Sequence, residues 1–205
     1  MKKTKKNILA GLLALAACAA HAEEDLGKAQ LLVAKPELQG LYSRTTLLVA
    51  PLKGQHVGFI LNRATELTLG KLFPEHAPSA KVVDPIYFGG PEMLGAIFAV
   101  VRSDPGEAAV PLFDDVFVTA SAQAVDRIIE QTPNAARYFV GFVGWRPGEL
   151  ANEIEKGYWY VTEADAALVF SKDTGAMWED LVKRLGPAHE LRKDLRAIRF
   201  EQTLR

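Results

Sequence analysis

Three places along the chain carry side chains whose type and position could do chemistry. Asn62-Arg63 closes an apolar run at 57–61 (VGFIL), where polar side chains leave a core and meet a cleft. The planar fork of Arg63 could grip a carboxylate or a phosphate. It could equally pair with Glu66 or Glu92 as scaffold. Gly89-Gly90-Pro91 could bring backbone N–H groups close to an anion, since glycine permits close approach. Pro91 removes one donor and no P-loop lysine follows, so a tight turn needing positive φ competes with that reading. Trp145-Arg146 with Glu149 offers an aromatic wall beside a charged pair at a helix entrance, or a packing joint between tryptophan and helix. Asn62, Arg63, Gly89, Gly90, Trp145 and Glu149 are therefore the candidate ligand-binding set.

A reaction is harder to find. His56 is a possible base, but a base needs a nucleophile or substrate proton within reach. Neither G-x-S-x-G nor H-E-x-x-H occurs to supply a partner. His56, His76 and His189 stand far apart, at no metal-ligand spacing. Asp114-Asp115 could suggest a carboxylate dyad, yet adjacent strand residues face opposite ways, and a solvated turn is simpler. No residue is assigned a catalytic role, and no cofactor or metal is expected.

The elements that must position these groups follow from the apolar pattern. Runs at 30–34, 45–50 and 57–61 are short, aliphatic and β-branched, and read as buried strands. Residues 52–55 between the last two read as a hairpin turn. A short helix is expected over 66–73, a strand over 82–88 interrupted by Pro85, and further strands over 96–101 and 111–119. Ser121 should cap a helix running to Gln131 with Ala124, Val125, Ile128 and Ile129 on one face. Residues 137–145 (RYFVGFVGW) read as a central strand. Pro147 fits the first turn of a helix carrying Leu150, Ala151 and Ile154 inward, and 158–161 returns as a strand. Asp173 could cap a last helix burying Met177, Trp178, Leu181, Val182 and Leu185, stopped by Gly186-Pro187. Strands joined by short turns outnumber helices, which predicts a mostly antiparallel α+β domain.

The two ends differ from this body. Lys2, Lys3, Lys5 and Lys6 precede an apolar stretch at 8–17, and Ala20-His21-Ala22 supplies the small-residue cleavage pattern. Residues 1–22 thus read as a signal peptide, which predicts export to the periplasm. Leu15-Ala16-Ala17-Cys18 competes as a lipobox, in which Cys18 would be acylated and anchor a lipoprotein to the membrane. Residues 189–205 form a basic amphipathic tail, with Leu191, Leu195 and Ile198 at helical spacing. Membrane contact is expected only through Cys18 or this tail. The 205-residue chain has a net charge of −1, and loss of the four leader lysines takes it to −5. An acidic domain disfavours nucleic acid as a partner. Cys18 is the one cysteine, so cleavage after Ala22 leaves no thiol and no disulfide.

Four ordered stretches carry a resemblance. They are Leu31-Leu32-Val33-Ala34-Lys35-Pro36, Gly58-Phe59-Ile60-Leu61-Asn62-Arg63, Tyr87-Phe88-Gly89-Gly90-Pro91 and Gly141-Phe142-Val143-Gly144-Trp145. The last continues through Gly148-Glu149-Leu150 and Glu153-Ile154 to Trp159. In order and spacing the set resembles the YqgE/AlgH family of bacterial proteins. The resemblance implies one α+β domain over 23–188 with a mostly antiparallel, barrel-like sheet flanked by helices. It implies no reaction. Some members carry a transcriptional-regulator label, but acidic charge and export both oppose that role here. Two classes of function remain: a non-catalytic binding protein of the cell envelope, engaging a protein or a small anionic ligand, and a periplasmic hydrolase of an anionic substrate with His56 as base.

Overall fold

The computed structural model describes residues 26–106 and 108–186. The leader over 1–22 with Cys18, and the basic tail over 189–205, lie outside the described residues. Nine strands form one sheet: β1 Gln30–Ala34, β2 Thr46–Leu52, β3 Gln55–Ile60, β4 Tyr87–Phe88, β5 Glu92–Arg102, β6 Val110–Phe113, β7 Val116–Thr119, β8 Ala136–Trp145 and β9 Trp159–Glu163. Their order is β6-β7-β5-β8-β3-β2-β1-β9, with β4 beside β8. Every pairing is antiparallel except β4 with β8. Five helices complete the α+β domain: α1 Leu69–Leu72, α2 Ala122–Gln131, α3 Glu149–Glu155, α4 Ala166–Val169 and α5 Met177–Leu185.

The sheet curls into a half-barrel because β8 changes partners along its length. Its first half, Ala136 to Val140, runs against β5, and its last three residues run against β3. The switch falls at Gly141, whose φ of 70° suits glycine. Curling brings the far ends together: Arg102 of β5 and Asp114 of the β6–β7 turn line one groove with residues 162–168 and with Leu181. Inside the curl, fully covered β1 and β2 pack with Phe59, Phe139, Trp145 and Trp159. On the other face, α2 lays Val125, Ile128 and Ile129 against Ala99, Val101 and Tyr138. Burial of such aliphatic side chains is worth roughly 1.5–3 kcal/mol each, so these two layers hold the sheet's shape.

Local chemistry explains where elements depart from the sequence pattern. The helix expected over 66–73 is trimmed to α1, because Thr68 caps it by accepting the Lys71 N–H. The strand expected over 82–88 keeps only Tyr87–Phe88; a 3₁₀ turn at Ala77–Lys81 and Pro85 occupy the approach. The run at 111–119 is two strands, β6 and β7, folded at Asp114 (φ 42°) and Asp115. Those aspartates are the solvated turn expected of them. Pro147 precedes α3 rather than entering it, since Gly148 (φ 83°) is the cap. Asp173 does not cap α5; the helix starts after Ala176, three residues later. Ser121 stands at the α2 N-cap without a side-chain bond to it.

Tyr138 lies in this core, its hydroxyl donating to the Pro133 carbonyl at 3.2 Å. Burial pushes its phenol well above the ordinary range. The folded state therefore holds this proton more tightly than the unfolded chain. Stability is fully present below the free phenol's pKa of about 10 and declines as pH rises past it toward the folded value. A tyrosinate absorbance titration should show a late step that coincides with alkaline unfolding, and Tyr138→Phe should remove that coincidence.

Candidate functional site

The six candidate residues form two groups rather than one cleft. Asn62 and Arg63 clamp the loop between β1 and β2. Asn62 accepts the Thr46 N–H through Oδ1 and donates through Nδ2 to the Arg44 carbonyl, both at 2.9 Å. Arg63 reaches the Ser43 carbonyl at 3.5 Å and lies 5.9 Å from the Phe88 ring centre. Burial lowers its guanidinium pKa. Neither Glu66 nor Glu92 forms an ion pair with it. Both side chains thus fix residues 43–46, and with them the neighbouring Tyr42.

Gly89 and Gly90 are not a tight turn. Their backbone crosses that of β8: a Cβ on Gly89 would stand 2.2 Å from the Gly141 carbonyl oxygen, and one on Gly90 2.3 Å from that of Phe142. Main chain fills the space where an anion would have to sit. The glycines let β4 and β5 approach β8 and deliver Glu92 beside Gly144.

Trp145 and Glu149 belong to an open groove of about 590 Å³ between the Tyr42 loop, the end of β8 and α3. Tyr42, Gly144, Trp145, Glu149, Glu153 and Tyr158 line it. Trp145 is only 4% exposed, so it forms a wall from behind. Its indole N–H donates to Glu153 Oε2 at 3.0 Å, and the Trp159 indole donates to the same oxygen at 2.9 Å. One carboxylate is thereby held by two buried rings from two strands. Glu149 accepts the Arg146 backbone N–H at 2.8 Å and closes the first turn of α3. Tyr42 rests against Trp159, with ring centres 6.2 Å apart. Burial first, then the Glu153 and Glu92 carboxylates, push its phenol above the ordinary value. Two negative charges thus act at the Tyr42 hydroxyl.

His56 is the cross-strand partner of Trp145 but does not line this groove. Its Nε2 meets the Leu26 carbonyl at 2.9 Å, and its Nδ1 is buried with no hydrogen-bond partner among the described residues. His76 Nδ1 contacts Ser79 Oγ at 2.8 Å. Among the described residues no three His, Cys, Asp or Glu gather where they could hold a metal ion.

Sequence reasoning missed Glu153 and Tyr42. The available signal was the pair Trp145 and Trp159: two buried indole N–H groups need acceptors, and Glu153 stands between them in sequence. Removing the acceptor should show. Glu153→Ala orphans both donors and should cost about 2–3 kcal/mol in urea unfolding, since hydrogen bonds to charged groups run at roughly 1.5–3 kcal/mol. Both indole N–H resonances should move in the same sample.

A model of the AlgH-like family matches residues 31–190. The chain belongs to that family. It is 30% identical over 166 residues to a UPF0301 protein of Chlorobium limicola, an alignment covering 78% of this chain and 87% of the relative. Its fold is similar to the solution structure of the AlgH protein from Pseudomonas aeruginosa, with a TM-score of 0.65 and 19% identity over 91% of this chain and 93% of that one. A crystal structure from Corynebacterium diphtheriae is similar too, with a TM-score of 0.65 and 23% identity over 80% and 90% of the two chains. In this AlgH-like chain the matched span contains the Tyr42 loop, both tryptophans and Glu153.

Proposed function

We propose that this AlgH-like chain is an exported, non-catalytic binding protein of the cell envelope, and that the groove between Tyr42 and α3 is where it meets its partner. The observation that supports this reading is the Glu153 carboxylate, pinned by two indole donors on the wall of an open groove. A charge fixed in advance, with its ordering entropy already spent in folding, suits recognition. Carboxylates that act as bases need a lone pair aimed at a substrate proton, whereas here two indoles converge on Oε2. The leader over 1–22 supports export, with cleavage after Ala22 or acylation at Cys18 as the two routes.

A photo-crosslinking amino acid at Asn152 or Tyr158, both exposed on the groove, tests the partner site in living cells. Adducts should form from either position, vanish in Tyr42→Ala, and be absent from the exposed control position Glu130 on α2. Equal adducts from all positions would remove the groove from consideration. Mass spectrometry of the native N-terminus tests export: a chain starting at Glu23, or a diacylated Cys18, supports it, and an uncut Met1 from the cytosol overturns it.

A further inference from the structure

We infer that the groove receives the ammonium group of an alkylamine, drawn by the carboxylates of Glu92 and Glu153 and laid against the Tyr42 ring. This rests on the binding reading above and adds the chemistry of what is bound. Four features of the site converge on it.

First, the two carboxylates arrive from separate elements. Glu153 comes from α3 and Glu92 from the first residue of β5. Glu92 is set over β8 by the glycine crossing: a Cβ on Gly144 would stand 2.8 Å from Glu92 Oε1, and Gly144 itself lines the groove. Second, both charges act on one phenol, which marks where their potentials overlap. Third, neither carboxylate has an ion-pair partner among the described residues. Lys156 lines the same groove yet forms no ion pair there either, so the acidic positions are left to an incoming cation. Fourth, the walls are Tyr42, Tyr158 and Trp145. Aromatic faces beside a carboxylate suit an organic cation, which gains from both ring and charge. A hard metal ion instead wants six or more oxygens, and this site offers two carboxylates and a phenol. The anion expected from Arg63 finds no purchase here, since that guanidinium faces the Ser43 carbonyl and the Phe88 ring.

The same ammonium chemistry is presented by a free small amine and by a lysine side chain of a partner protein. The test is a nitrogen–proton NMR titration of the purified mature protein, read at the Trp145 and Trp159 indole N–H signals. The probes are n-butylammonium, the capped peptide Gly-Lys-Gly, and butyrate as the anionic control. Saturable indole shifts with the two amines and none with butyrate are expected. Glu92→Gln, on an exposed strand end outside the core, should weaken binding about threefold, as befits an exposed pair. Lys156→Gln should tighten it. Tighter binding of the peptide than of butylammonium assigns the ammonium to a protein partner, and the reverse order assigns it to a free amine.

Equal shifts with butyrate, no saturation with either amine, or amine binding indifferent to both Glu92→Gln and Glu153→Gln would overturn the inference. Its failure is separable from that of the binding reading. Crosslinks from Asn152 that survive alongside absent amine binding sink the amine alone. Amine binding without any groove crosslink sinks the partner site alone.

Discussion

Arg137→Ala is expected to lower the unfolding free energy by about 4 kcal/mol, because two buried carbonyls lose their donors at roughly 1–3 kcal/mol each and a cavity opens beside them. For a domain of this size that is a fall in Tm of roughly 10 °C. Arg137 is 4% exposed and has no carboxylate within ion-pair distance among the described residues. Its guanidinium instead donates to the Val169 carbonyl at 2.6 Å and the Leu61 carbonyl at 2.7 Å. It stacks 3.9 Å from the Tyr87 ring centre and 5.4 Å from that of Phe139. Burial lowers its pKa, and nearby Tyr87 and Asp84 partly offset that. One side chain therefore ties β8 to the end of β3 and to α4. Arg137→Met keeps the stem but not the donors, and should cost nearly as much as alanine. A methionine variant as stable as the parent in chemical denaturation would show that packing, and not the two carbonyls, sets the cost.

Gly90→Ala should be the second most damaging change, at about 3 kcal/mol or more, because overpacking against backbone has no cheap relief. The new methyl would lie 2.3 Å from the Phe142 carbonyl carbon and oxygen and 2.6 Å from the Val143 nitrogen. Neither neighbour is a flexible side chain that could swing aside. Gly95→Ala, in the same strand pair but with nothing within 4 Å of its Cβ, should stay within about 0.5 kcal/mol of the parent. Urea midpoints of the two variants make the comparison. If Gly90→Ala unfolded at the parent midpoint and lost only a bound anion, the glycine pair would be a phosphate cradle after all.

These two residues also show what the sequence could and could not reveal. The α2 face was legible residue by residue, since Ala124, Val125, Ile128 and Ile129 are buried at the spacing that an amphipathic helix imposes. So were β1, β2 and the hairpin at Lys53-Gly54, where the two turn residues have φ of 49° and 81°. Local patterns report local structure. Arg137 was not legible, because its acceptors lie 32 and 76 residues away and a strand arginine ordinarily reads as solvated. The Gly-Gly step looked like a turn, since nothing in a single sequence announces that another backbone passes within contact distance. Trp145 and Glu149 were placed beside a helix entrance, and they are there. The groove's chemistry escaped because Glu153 sits four residues after Glu149, where a helix surface carries charges of no consequence. Only the convergence of two strands on α3 gives that carboxylate its donors.

The register of β1 has a consequence for how the chain is made. Gln30 pairs with Val49 on one side and with Glu163 on the other. The opening strand therefore cannot be enclosed until almost the whole polypeptide has been synthesised, and bringing such distant segments together is entropically slow. A nascent chain stitched shut by its last strand stays threadable while it grows. For a protein that a leader is to guide through a narrow translocation channel, late closure keeps the passage open.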